Sequence, residues 1–172
     1  MEIKSLNEDT ASLVPNIVNF YHFEFKDLRG FSPKQIYNLK KSRNEEYFKK
    51  VINRESSAMI DLLIDGANGL EGILEFKEDL DNTGDVRILF CDILWVLVKD
   101  KGIGYGSRLL QNRIDKAGYN MCDLINLVVP MPSMLPIELW KKYDFRYVTN
   151  RDEKSKIYCK TLTDAGIRSL ER

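Results

Sequence analysis

From Ile88 to Val98 apolar residues follow one another with a single interruption, Asp92. After Lys101–Ser107 they recur at Leu109, Leu110, Ile114 and Ala117, the spacing of one helix face. The first pattern predicts a strand over Val86–Val98, apolar on both faces and therefore central and buried. The second predicts a helix ending near Gly118. Upstream, Ser57–Ile64 alternates, with Ala58, Ile60, Leu62 and Ile64 on one side. Gly66-Ala67-Asn68-Gly69 then turns the chain. On the next strand Leu70, Gly72, Leu74 and Phe76 face one way, Glu71 and Glu75 the other, which reads as a hairpin. Lys77–Asp85 is a polar loop. Downstream, Leu124–Val129 and Lys156–Leu162 read as further strands.

The N-terminal part is more helical. Met1–Leu6 is a short edge strand, and Asn7-Glu8-Asp9 looks like a helix start with acids at its positive end. Pro15 either disturbs that helix or sits in the first turn of one starting at Ser12. Ser32-Pro33-Lys34-Gln35 has the N-cap serine, N1 proline and N3 glutamine of a capping box. Ile36, Leu39, Phe48, Val51 and Ile52 then recur at roughly helical spacing up to Arg54. The charged stretch Lys40–Glu46 either interrupts this helix or forms its solvated face, and the latter is preferred.

Composition narrows the function classes. A chain of 172 residues, 44% hydrophobic, fits a single domain over 1–172. Its 26 basic and 26 acidic residues balance, whereas nucleic-acid binding modules carry a basic excess. Met1-Glu2-Ile3-Lys4 opens no signal peptide, and Ile88–Val98 is too short to span a bilayer. A cytoplasmic protein is expected. Cys91, Cys122 and Cys159 are scattered, with no Cys-x-x-Cys, so neither a disulfide framework nor a metal site is indicated. Each reads as a small core residue. His22 is the single histidine and reads as structural or surface. Proton transfer would fall to carboxylates, tyrosine, water or amines.

Lys101-Gly102-Ile103-Gly104-Tyr105-Gly106-Ser107 joins the long strand to the helix. The first N–H groups of a helix lack intrahelical partners, and the helix dipole is positive there. Such a place binds phosphate, and Gly104 and Gly106 would let a pyrophosphate approach the backbone. The string is not a Walker loop, which needs Gly-x-x-x-x-Gly-Lys-Ser/Thr. A dinucleotide fingerprint, Gly-x-Gly-x-x-Gly, fits at Gly102 and Gly104 but meets Ser107 at its third glycine.

A third reading fits better. The passage resembles motif A of the GNAT superfamily of acyl-CoA N-acyltransferases, Arg/Gln-x-x-Gly-x-Gly/Ala, with Lys101 at the Arg/Gln place and Gly104 and Gly106 at the two small places. Ser133-Met134-Leu135-Pro136-Ile137-Glu138-Leu139-Trp140-Lys141-Lys142-Tyr143-Asp144-Phe145 resembles motif B of that superfamily. Leu139, Lys142 and Phe145 match, while Ser133, Pro136, Trp140 and Asp144 stand where Asn, Ala, Tyr and Gly are usual. The resemblance covers about residues 86–162. It implies an α/β (α+β) fold of GNAT type: a central mixed, mostly antiparallel sheet, helices on both faces, and strands splayed at the cofactor site. It also implies that the helices after Ser32 border the acceptor site.

The same resemblance implies a site. Pantetheine amides would pair with the backbone at Val96, Leu97 and Val98. The pyrophosphate of acetyl-CoA would rest on Lys101, Gly102, Ile103, Gly104, Tyr105, Gly106 and Ser107, with Ser133 and Trp140 also on the cofactor side. Several family members use a carboxylate on the long strand as base. One familiar place for it falls on Phe90, which cannot serve. Asp92 points to the same face and is costly in an apolar run unless paired or functional. Asp92 is therefore the candidate base, with a hydrogen bond to a neighbouring loop as its structural alternative. Glu75 is the second candidate, though it reads as solvent-facing. Trp140 replaces the tyrosine that can protonate the departing thiolate, and indole N–H is only a hydrogen-bond donor. Tyr143, on roughly the same helix face, is the candidate acid or else packs into the core. The expected activity is acetyl transfer to an amine of a small molecule or protein. A non-catalytic acyl-CoA-binding module is the alternative. Beyond the amine, the partner expected is a second copy in a homodimer, not nucleic acid or a membrane.

Overall fold

The computed structural model describes residues 1–28, 31–66, 69–82, 85–119, 121–130, 142–152 and 155–170. By its internal packing the chain divides into two compact units, Met1–Leu74 with Leu97–Leu109, and Glu75–Val96 with Leu110–Arg172.

The first unit opens with β1 (Glu2–Ser5), a 3-10 helix (Glu8–Leu13) and α1 (Val14–Glu24). Asn7 caps the 3-10 helix: its carboxamide oxygen accepts from Asp9 N–H, and Thr10 Oγ1 accepts from Asn7 N–H. Pro15 falls in the first turn of α1, where its missing N–H costs nothing. α2 (Pro33–Ser42) carries the expected capping box between Ser32 and Gln35. The charged stretch does interrupt the helical pattern, contrary to the preferred reading. α2 ends at Ser42, and Asn44 caps a separate α3 (Glu45–Ile52) by accepting from Tyr47 N–H. An asparagine side chain that bonds the backbone two or three residues on competes with a continuing helix. Tyr21, Phe25 and Phe48 form the aromatic core of this unit, with ring centroids 5.2 and 5.4 Å from Tyr21.

β2 (Met59–Asp65) pairs antiparallel with β1, Glu2 opposite Ile64. Its alternation does not mark one buried side, as expected, because Ile60–Ile64 are buried on both faces. Asp61 is among them, and Ser5 Oγ donates to its carboxylate at 2.8 Å. β3 (Gly69–Asp81) runs through Lys77–Asp81 of the stretch expected as a loop. Gly72–Phe76 are buried, so Glu75 does not face solvent. A Cβ at Gly72 would lie 3.1 Å from Leu109 and 3.3 Å from the carbonyl of Leu97. A glycine there lets those chains close over β3.

In the second unit β4 (Ile88–Val98) pairs parallel with β5 (Leu124–Pro130). Leu89, Cys91, Ile93 and Leu97 are buried, while Phe90, Asp92, Leu94 and Val96 are only half-buried. The strand is thus central, but not buried on both faces as its composition suggested. α4 (Tyr105–Tyr119) carries Arg113, which lies 4.3 Å over the Phe76 ring and pairs with Glu78. β6 (Arg146–Asp152) and β7 (Ser155–Thr161) are antiparallel, and β7 pairs antiparallel with β5. α5 (Asp164–Leu170) ends the described chain. β6 and α5 were not foreseen. The strands form one seven-stranded sheet in the order β1-β2-β3-β4-β5-β7-β6. Among the described residues no helix is long and apolar enough to cross a membrane.

Candidate functional site

The glycine loop belongs to the first unit. Lys101–Gly104 are exposed, and Gly102 and Gly104 have φ of +89° and +92°. L side chains rarely adopt that backbone. Among the described residues nothing lies within 4 Å of a Cβ at either glycine, and both are exposed. α4 begins at Tyr105, and Arg108 N–H donates to the Gly104 carbonyl at 2.9 Å. The N–H groups of Tyr105 and Gly106 precede that bond, at the positive end of the helix. Tyr105, Gly106 and Ser107 are half-buried. Just before the loop, Lys99 N–H donates to the Glu71 carbonyl at 3.0 Å, and its ammonium donates to the Glu71 carboxylate at 3.1 Å. That hydrogen bond, and the charge behind it, raise the Lys99 pKa. The loop is therefore an open, glycine-bent cradle with backbone donors, which suits a pyrophosphate.

Val96, Leu97 and Val98 close β4. Pairing of β4 with β5 runs from Ile88↔Leu124 to Asp92↔Val128. β5 stays with β7 further, through Pro130↔Ser155. So from Ile93 onward β4 goes on to Val98 with no β5 partner among the described residues. Backbone donors and acceptors along that edge need partners. Pantetheine amides could supply them, as the resemblance implied.

Asp92 stands at the last paired position, in the second unit. Among the described residues no neighbouring loop bonds it. Instead Nη1 of Arg151 donates to both its oxygens, at 3.1 and 3.0 Å. Asp92 is 35% exposed and Arg151 52%. The sequence offered no sign of Arg151. It sits where β6 slips against β7: Asn150 faces Lys156 and Asp152 faces Ser155, leaving Arg151 as the extra residue of a bulge. Such a bulge re-aims its side chain, and it depends on the pairing partner rather than on local pattern.

Tyr143 is not a helical residue, so the helical spacing used to place it fails. Lys142 is helical, and Tyr143 and Asp144 form the turn that follows. The Tyr143 side chain is half-buried, and its carbonyl accepts from Lys160 Nζ at 2.8 Å. Asp144 has φ of +61°. That explains why glycine is usual at its place: the helix exit needs left-handed backbone, which Asp tolerates better than most residues. Phe145, which follows Asp144, is buried. Ser133 and Trp140 lie outside the described residues. His22 is exposed, its ring nitrogen 3.1 Å from the Lys40 carbonyl. The three cysteines are buried and free. Burial alone pushes the Cys159 thiol up to about 11.

No protein-family model matches the sequence, and no curated protein matches it either. Solved structures do. PaiA N-acetyltransferase from Thermoplasma acidophilum, solved with coenzyme A, is similar with a TM-score of 0.64 and 15% identity, over 94% of this chain and 99% of that one. A GNAT-family protein from Desulfovibrio desulfuricans gives 0.57 and 11%, over 94% and 100%. The fold is that of the GNAT acyltransferases. Aminoglycoside 6'-acetyltransferase type Ii shares it, with a TM-score of 0.62 and 13% identity over 95% and 98% of the two chains. At such identities the likeness lies in the course of the backbone. The mixed, mostly antiparallel sheet with flanking helices is therefore the GNAT architecture expected from the motifs.

Proposed function

We propose that this chain is an N-acetyltransferase, moving acetyl from acetyl-CoA to an amine. One observation carries the reading. β4 parts from β5 after Asp92 and leads directly into a loop bent by two left-handed glycines at the start of α4. A bare strand edge followed by a helix N-terminus offers amide partners and then an anion cradle on one continuous stretch of chain, Ile93–Ser107. Coenzyme A, when bound, supplies the activated acyl thioester. The backbone of Val96–Val98 would hold its amides, and Lys101–Ser107 its pyrophosphate.

Asp92 would take a proton from the acceptor ammonium. Atoms balance simply: the thioester C–S bond breaks and a C–N bond forms. The ammonium gives up two protons, one ending on the thiol and one in solvent. Positioning is the main contribution asked of the protein. A cytoplasmic location fits three unpaired, buried cysteines.

One observation favours a second reading. Arg151 already occupies both oxygens of Asp92, as it would in an acyl-CoA-binding module without turnover. Calorimetric titration with acetyl-CoA, run beside a thiol-release assay over a panel of amines, separates the two. Binding with amine-dependent thiol release is expected. Binding with no release for any amine would establish the module, and absence of binding would sink both.

A further inference from the structure

We infer that Arg151 is a carboxylate-binding residue of the acceptor site and that the acceptor is a free α-amino acid. The inference deepens the transferase reading and rests on it.

Among the described residues one nitrogen of Arg151 is engaged. Nη1 serves both oxygens of Asp92, and among the described residues Nη2 and Nε make no further hydrogen bond. A guanidinium is a planar fork, and its Nε–Nη2 edge takes a carboxylate in two parallel bonds. Arg151 can therefore hold a second carboxylate without releasing Asp92. The side chain is half exposed.

Its placement is built, not incidental. Arg151 is the extra residue of a β-bulge on the last strand of the sheet. Bulges at sheet edges and beside active sites redirect side chains. This one sends a cation to the single carboxylate of Ile88–Val98, at the rung where β4 leaves β5. An exposed ion pair contributes little to stability, so stability alone is a weak reason for a bulge.

A ligand complementing the pair must carry both charges side by side. An α-amino acid bears its ammonium and carboxylate on one carbon, which matches two side chains in direct contact. The ammonium would face Asp92, and the carboxylate would face the open edge of Arg151. A simple amine leaves that edge to water. A dicarboxylate brings its second acid against Asp92.

The test is a thiol-release assay with acetyl-CoA and matched pairs of acceptors, each free α-amino acid beside its α-carboxamide. The free acids should exceed their amides in kcat/KM by about 10- to 100-fold, the range for losing a charge-assisted bidentate contact. Arg151→Gln should bring that ratio towards one, and Arg151→Lys, which keeps charge but not the fork, should leave it in between. A structural role for Arg151 would lower both substrates together and leave the ratio unchanged. Acids and amides used equally by the unaltered protein, or a ratio that Arg151→Gln does not move, would overturn the inference while leaving the transferase reading intact. No release from any acceptor would overturn both.

Discussion

Gly104 carries more than its size suggests. Its φ of +92° is outside the range of L residues, and its position opens α4. Among the described residues nothing lies within 4 Å of a Cβ there, so a side chain would occupy open space beside the loop backbone. Gly104→Val should weaken acetyl-CoA binding more than tenfold, over ~1.4 kcal/mol, by calorimetric titration. Unchanged affinity in a folded variant would remove the cradle from the site. Asp92→Asn keeps size and one of the two oxygens that accept from Arg151 but removes the charge and the proton acceptor. Turnover at neutral pH should fall by about 10²–10⁴ if Asp92 acts directly, with acetyl-CoA affinity retained. Tyr143 stands in a turn, half-buried. A thiolate of pKa about 8.5 leaves at modest cost near neutral pH, so Tyr143→Phe should lower turnover less than about tenfold. A loss beyond about a hundredfold with the fold intact would make Tyr143 the acid.

At the scale of elements, Asp123 ties three of them together just before β5. Its carboxylate accepts from Arg87 N–H at 2.9 Å, ahead of β4, and from Thr163 Oγ1 at 2.6 Å, ahead of α5. Its carbonyl accepts from Leu162 N–H at 2.8 Å. These bonds, the Arg87 amide first, lower the Asp123 pKa. A depressed carboxylate pKa contributes stability above the unfolded value, near 3.9, and loses it as pH falls through the folded value. Thermal unfolding should therefore drop as pH falls below about 4, and Asp123→Asn should flatten that acid limb. Gly166 packs against the same residue: a Cβ would sit 2.3 Å from the Asp123 carbonyl oxygen. Gly166→Ala should cost about 1–3 kcal/mol by denaturant unfolding. Local chemistry made some elements legible. The capping box at Ser32, the apolar run of β4 and the glycines of the loop each work through near neighbours. Others depend on distant chain. The two-sided burial of β2, the burial of Glu75 and the bulge at Arg151 follow from pairing and packing that no local pattern encodes. β6 is the edge strand and Arg146–Arg151 are exposed, so no alternation of apolar and polar positions marks it as a strand.

For the whole molecule, the glycine loop was readable in the sequence and the Asp92–Arg151 pair was not. Glycines act through backbone conformation, so their spacing shows as a local motif. Arg151 reaches Asp92 from a strand 59 residues away in sequence. The cysteines have a practical consequence. Cys91, Cys122 and Cys159 are all buried, and all belong to the unit made of Glu75–Val96 and Leu110–Arg172. Thiol reagents attack thiolate that they can reach. The native protein is then optically silent towards a colorimetric disulfide reagent, and every thiol detected during turnover comes from the reaction. The same silence becomes a clock when the reagent is present without substrate. Slow labelling would time the opening of that one unit, while the other, holding no cysteine, stays dark.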